Sequence, residues 1–419
     1  MPVVQPQSLA KPEVNSNPAI YFDHAATTPI DPRVLEAMAP FWSEIYGNPS
    51  SIYRVARDSR RAVDEARDSV AERLGAKSSE IVFTASGSES DNAAIKGVAF
   101  AHGGRGHIIT TQIEHHAVLR TCEFLEKTGH RVTYLSTDQY GRIDPDAVGR
   151  AIESDTMIVS VMLANNEIGT IEPISEIARV TAKKRVPLHV DAVQAAGYLP
   201  LEVDRRGIDL LSLSGHKFCG PKGTGVLYIR RGTPCWPLIH GGGQERGRRA
   251  GTENVAGIVG LAEALRLAQE EQSERVHRVT ALRDRTIAGI LTAIPDSYLT
   301  GHPRERLPNL ASVCFAGVSG ESLLLALDQR GIMVSTGSAC TSGSLDPSHV
   351  LLALKLPVDL ANGSLRISFG YENTAAEVEK VLTILPPLIR SLRDNSPAAG
   401  SLPANTIEGG GRGVVSTEE

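Results

Sequence analysis

Cysteine is scarce and unpatterned in this chain. The 419 residues contain five, Cys122, Cys219, Cys235, Cys314 and Cys340, an odd number without a Cys-x-x-Cys pair. Neither a disulfide framework nor a zinc site is expected, and at least one cysteine is left to work as a thiol. Long apolar runs are lacking too: no uninterrupted stretch approaches the roughly 20 residues of a membrane span. Residues 1–18 place Pro and Asn where a signal peptide needs an apolar stretch, so a cytoplasmic protein is expected, with no membrane partner. Nor is there an excess of positive charge. Lys and Arg number 43 against 48 Asp and Glu, giving a net charge of -5 and a pI near 6.2. The arginine pairs at 230–231 and 248–249 read as solvated faces, and nucleic acid is not an expected partner. No internal repeat is present.

What is present is an ordinary globular composition, 41% hydrophobic and 22% charged, in a chain long enough for more than one domain. From about 31 to 301, short β-branched runs alternate with longer amphipathic segments, the pattern of a mainly parallel sheet covered by helices on both faces. The candidate strands are 80–83, 107–110, 131–135, 157–162, 188–190, 210–213 and 225–229. A charged helix is expected over about 260–293, bridging to a second domain with a strand at 311–315, a helix at 321–330, a strand at 366–370 and a terminal helix at 375–393. The Gly-, Pro- and Ser-rich stretch 396–419 is expected to be disordered, as is 1–18.

The most informative pairing is Lys217, in Ser-Gly-His-Lys after an apolar run, and Asp191, 26 residues earlier in His-Val-Asp. A lysine amine that holds an aldehyde as a Schiff base and an aspartate that keeps a pyridine nitrogen protonated are what pyridoxal 5'-phosphate (PLP) requires. Taken alone, the lysine string reads more readily as a surface lysine after a turn. A second element, Gly87-Ser88 between a strand and a helical run, offers backbone N–H groups to a phosphate at a helix N-terminus. Ser214 and His216 bring further donors to the same anion. His115 is placed to lie flat on the ring and exchange protons near neutral pH. Asn165 and Gln194 are candidates for the phenolic edge of the ring. Arg366 alternates with Leu365 and Ile367, away from the expected core, and its fork suits an α-carboxylate. The string Ser335 to Ser344 is small and polar throughout, so Cys340 is expected on an exposed, mobile loop, whereas the other four cysteines suit structural positions.

These elements, with Ala-Ala-Thr-Thr-Pro at 25–29, Gly-Asn-Pro-Ser at 47–50, Asn165-Asn166-Glu167, Arg-Ala-Gly-Thr-Glu at 249–253 and Ser-Ala-Cys at 338–340, resemble the NifS/IscS-type cysteine desulfurases collinearly over about 21–393. The resemblance implies an α/β fold-type-I PLP-dependent transferase of the class V aminotransferase kind. Its large PLP-binding domain (31–268), with a mainly parallel seven-stranded sheet, would be followed by a smaller α+β domain (269–395). The latter would be joined by 19–30 and carry the cysteine loop at about 334–346. It further implies a homodimer in which Thr252 reaches the partner's phosphate. The substrate would be L-cysteine, fixed by Arg366 and Asn165. Lys217 would take the α-proton, His115 would handle protons, and Cys340 would take the sulfur as a persulfide, leaving L-alanine. The sulfur would pass to an acceptor such as an iron-sulfur scaffold protein. Residues 396–419 do not look like the scaffold-docking segment of the housekeeping members, and the strings near 249 and 340 look closer to the nitrogen-fixation branch. The competing readings are a selenocysteine lyase, an aminotransferase for a small amino acid, or a sulfur-relay scaffold.

Overall fold

The computed structural model describes residues 19–337 and 347–395. Its strands, in chain order, are β1 (Ile20–Tyr21), β2 (Ile81–Thr84), β3 (His107–Thr111), β4 (Arg131–Leu135), β5 (Thr156–Met162), β6 (Leu188–Asp191), β7 (Leu210–Ser214), β8 (Gly225–Ile229), β9 (Ser297–Leu299), β10 (Leu310–Phe315), β11 (Ile332–Met333) and β12 (Ser364–Ser368). Seven of them form one sheet in the order β2-β8-β7-β6-β5-β3-β4. The β3-β4, β3-β5, β5-β6 and β6-β7 pairs are parallel, and β8 runs antiparallel to both its neighbours. All seven expected strands are therefore found, and the sheet is mainly parallel.

Strands buried on both faces need apolar residues at every position, and β5 and β7 are buried throughout. Successive residues feed opposite cores. Ile109, Val159, Val161, Leu211 and Leu213 pack in a cluster that contains the helices Arg54–Leu74 and Val255–Glu270. Ile108, Ile158, Leu210 and Leu227 pack on the other side against the helices Gly87–Ala101 and His116–Lys127. Toward the carboxyl ends, the second face turns polar at Ser160, His189, Asp191, Ser212 and Ser214. That change is what makes a site possible there.

A separate apolar cluster joins Val279, Leu282, Phe315, Leu323, Leu365, Phe369 and Leu385. It covers the antiparallel sheet β12-β10-β9 and includes the terminal helix Ala375–Asp394. The charged helix expected at 260–293 is two helices, Val255–Glu270 and Gln272–Ala293, that meet at Glu271. The strand expected at 366–370 begins earlier, at Ser364, and all five of its residues are buried. No helix among the described residues is long and apolar enough to cross a membrane.

The N-terminal strand β1 pairs in parallel with β11 in this second core. From there the chain crosses to the large sheet: Thr28 gives its N–H and its hydroxyl to the His216 carbonyl, each at 2.9 Å. One extended segment thus ties the second core to the turn that carries Lys217.

A buried ion pair holds the rim beside β2. Arg67 gives two parallel hydrogen bonds to Glu245, at 2.6 and 2.7 Å, and Glu245 also accepts the Phe83 N–H at 3.0 Å. Both side chains are almost wholly out of water, so removing one charge strands the other. Glu245→Gln is expected to lower stability by about 3 kcal/mol, read as a lower urea midpoint with an unchanged slope.

Candidate active site

The site lies where β5, β6 and β7 end. Asp191 is the last residue of β6 and sits opposite Ser212 of β7. The chain then leaves β7 through the tight turn Gly215–Lys217. Only glycine fits the first position, because a Cβ on Gly215 would lie 2.6 Å from the Thr224 hydroxyl. The turn presents Lys217, whose Nζ donates to the Ala25 and Ala26 carbonyls at 2.5 and 2.8 Å. Asp191 accepts the Val193 N–H at 2.9 Å. Burial pushes its carboxyl up to about 6, against the opposing pull of the Val193 N–H and the Lys217 charge. An amine and a buried carboxyl thus face the same space.

Gly87 begins the helix Gly87–Ala101, whose N-cap Ser86 accepts the Glu89 N–H. A Cβ on Gly87 would lie 2.7 Å from Val193 Cγ2 and 3.4 Å from Ser214 Cβ. The helix N-terminus is therefore pressed against both the Asp191 loop and the end of β7. Ser88 is exposed beside it. His216 shares a hydrogen bond between Nδ1 and the Thr27 hydroxyl at 3.1 Å, and burial pushes its ring down to about 4, helped by Lys217 and Lys222. Thr252 is exposed and makes no side-chain hydrogen bond among the described residues.

His115 caps the helix His116–Lys127, its Nδ1 accepting the Ala117 N–H at 3.1 Å. That bond puts the proton of the neutral ring on Nε2. Burial first, then the charges of Lys217, His116 and His349, push the ring down to about 4. At neutral pH this imidazole is therefore uncharged, with Nδ1 occupied by the helix cap and the proton on Nε2.

Asn165 was expected at the phenolic edge of a ring. Its amide is used up in its own turn, with Nδ2 donating to the Ile113 carbonyl at 2.9 Å and Oδ1 accepting the N–H groups of Glu167 and Ile168 at 2.8 and 3.0 Å. The next residue, Asn166, is buried and its side-chain amide makes no hydrogen bond among the described residues. Sequence reasoning passed it over, since two adjacent asparagines carry no signal saying which one the turn consumes. Gln194 donates to the Ala25 carbonyl at 2.8 Å, next to the Lys217 amine.

Arg366 does not point to solvent from its strand. It is 3% exposed, donates to the Asn166 carbonyl at 2.8 Å and pairs with Asp23 at 2.8 Å, and its Nε has no partner among the described residues. Glu167, which accepts the Ser348 hydroxyl, lies beside it. Burial pushes that carboxyl up to about 7, opposed by Ser348 and Arg366. Cys340 lies outside the described residues. The other thiols are pushed up by burial: Cys122 and Cys314 to about 12, Cys219 and Cys235 to about 11. Cys235 is only half-buried by surface area, unlike the other three.

The donor set fits a phosphate-bearing pyridine aldehyde. A helix N-terminus packed on Ser214 suits the phosphate, Lys217 suits the aldehyde, and the buried Asp191 suits a protonated ring nitrogen.

The model of the class V aminotransferase family matches residues 20–381. Cysteine desulfurase IscS of Methanosarcina thermophila is 53% identical over 382 residues, covering 91% of this chain and 94% of its own. The protein of the same description from Dictyoglomus turgidum is 52% identical over 379 residues, covering 90% and 96%. Among solved structures, a NifS-like protein aligns with a TM-score of 0.84 at 40% identity, over 89% of this chain and all of its own. SspA in complex with cysteine aligns with a TM-score of 0.74 at 38% identity, over 85% of this chain and all of its own. The chain belongs to the class V aminotransferase family and, within it, to the cysteine desulfurases.

The raised Asp191 carboxyl has a stability signature in the cofactor-free protein. Its contribution is present below the unfolded value near 3.8 and is lost as pH rises through about 6. Wild type is expected to lose up to about 3 kcal/mol across that window relative to Asp191→Asn, measured as the difference between their urea-unfolding free energies at pH 4 and pH 7.5.

Proposed function

We propose that this chain uses PLP to remove sulfur from L-cysteine, releases L-alanine and carries the sulfur as a persulfide on Cys340 for delivery to an acceptor protein. The observation that carries the reading is the buried Asp191 facing Lys217 beside the Gly87 cradle. Bound through Lys217, the cofactor supplies an electron sink for negative charge at the substrate α-carbon. The chain's own residues do the rest. The N-terminus of the helix Gly87–Ala101, with Ser88, Ser214 and His216, holds the phosphate, and Thr252 does so for a second copy in a homodimer. Asp191 holds the ring nitrogen's proton. Asn166 rather than Asn165 offers its amide to the ring edge, with Gln194 beside it.

Arg366 grips the α-carboxylate, exchanging its Asp23 partner for the substrate in a two-pronged contact. Lys217 Nζ would remove the α-proton and return a proton to the product. His115 donates through Nε2 while Nδ1 stays on the helix cap. The Cys340 thiolate attacks the substrate sulfur. An S–S bond forms, the Cβ–S bond breaks, and its electron pair stays with the carbon fragment, which becomes alanine after protonation. Cysteine and one enzyme thiol thereby give alanine and one persulfide, with no external oxidant. Burial keeps the four described thiols protonated at neutral pH, which favours Cys340 for this role. Iron-sulfur cluster assembly is the pathway this reading favours, with the cytoplasm as its setting.

Cys340→Ser is expected to stay yellow and fold normally but to lose at least about 100-fold in sulfide release. Mass spectrometry of the cysteine-treated wild type should show one added sulfur on the Cys340 peptide. An unmodified peptide together with undiminished turnover in the variant would sink the persulfide role. In the same assay Arg366→Lys is expected to lower kcat/KM about 10- to 100-fold, chiefly through KM.

A further inference from the structure

Behind Asp191 lies a buried polar file that the reaction above does not use. Ser160, His189 and Ser212 alternate with apolar residues on β5, β6 and β7, so their side chains share the sheet face that meets the helix Gly87–Ala101. Ser160 Oγ lies 2.8 Å from His189 Nδ1, and His189 Nε2 lies 3.0 Å from Ser212 Oγ. The file ends at Asp91 of that helix, whose Oδ1 is 3.6 Å from His189 Nε2. All four side chains are out of water, and Asp91 Oδ1 has no hydrogen-bond partner among the described residues.

Asp91 and Asp191 are both buried and close enough for their charges to interact, and a pocket of low polarity does not hold both as anions. Their surroundings are unequal. Asp191 has the Val193 N–H and the opposing Lys217 amine. Asp91 has the Ser212 hydroxyl as the one group that favours its charge, against burial and the charges of Asp191 and Glu114. Glu114 is itself buried with Oε2 unpartnered, so it lends no compensation. His189 could compensate only as a cation, and burial pushes its ring down to about 3. These groups fill the space around Asp91 from β6, β7 and the segment after β3.

We propose that Asp91 is a positioning residue: it keeps its proton at neutral pH and so confines the negative charge of this pocket to Asp191, the carboxylate that faces the cofactor. The consequence for the cofactor rests on the PLP reading, but the proton's location does not. Asp91 acts through Asp191, as an uncharged acid at the end of the file that does not compete for a cation. The opposite arrangement is an ion pair of ionised Asp91 with protonated His189.

The test is isotope-edited infrared spectroscopy of the cofactor-free protein, with 13C-labelled aspartate carboxyls. At pH 8, above the Asp191 midpoint near 6, a protonated aspartate band is expected in wild type. It should persist in Asp191→Asn and vanish in Asp91→Asn. A second readout is the Asp191 midpoint itself, which is expected to stay within about half a pH unit in Asp91→Asn, because an uncharged side chain replaces an uncharged one. Loss of the band by pH 8 in both wild type and Asp191→Asn would overturn the proposal, as would a fall of a full unit or more in the Asp191 midpoint. Should Asp91→Asn fail to fold, wild type and Asp191→Asn decide the matter alone. No measurement needs turnover, so a failure of the desulfurase reading leaves this one legible.

Discussion

A carboxyl held out of water at the end of one strand, and an amine turned toward it from the end of the next, set the conditions for everything else in this molecule. Neither group is comfortable there alone, since charge in a poorly solvated place is costly without a partner. The sheet supplies the frame that holds them: parallel strands buried on both faces put Asp191 and Ser212 in register and leave the Lys217 turn no room for any residue but glycine at its start. Asp191 is kept from full neutralisation by a backbone N–H and by Lys217 itself. On the PLP reading, a protonated heterocycle is the partner that this carboxyl awaits.

The second core is tied to this pair through backbone. The segment that begins as β1 gives Ala25 and Ala26 to the Lys217 amine and Thr28 to the His216 carbonyl, while Asp23 pairs with Arg366. Arg366 in turn binds the Asn166 carbonyl. The Lys217 amine, Arg366 and the asparagine turn are thus joined in one connected set that spans both cores. Movement of the second core relative to the large sheet would be felt at all three.

Much of this was readable from residues alone. Seven apolar runs announced seven strands, and Lys217 with Asp191 raised the expectation of a cofactor, because few other chemistries ask for those two side chains after two strands. What was missed follows from geometry that composition does not encode. Asn165 and Asn166 differ only in which amide the turn absorbs, and Glu271 breaks a helix in a stretch whose charge pattern continues past it. His115 was read by its ordinary titration, whereas its depth and its helix cap decide its state. The polar file behind Asp191 did leave a trace, since Ser160, His189, Ser212 and Ser214 stand at alternate places in otherwise apolar strands. Alternation of that kind at strand ends is the signal that would have found Asp91's surroundings.

The suppressed acidity of Cys122, Cys219, Cys235 and Cys314 bears on the fidelity of sulfur traffic. A sulfur atom held as a persulfide passes readily to any thiolate it meets, and a protein rich in thiolates would scramble its own cargo among them. In this chain the described thiols stay protonated and poorly nucleophilic at cellular pH, so they are closed to such internal exchange. On the proposed reading, sulfur loaded on the enzyme is not drawn off by any of these four thiols before a recipient arrives.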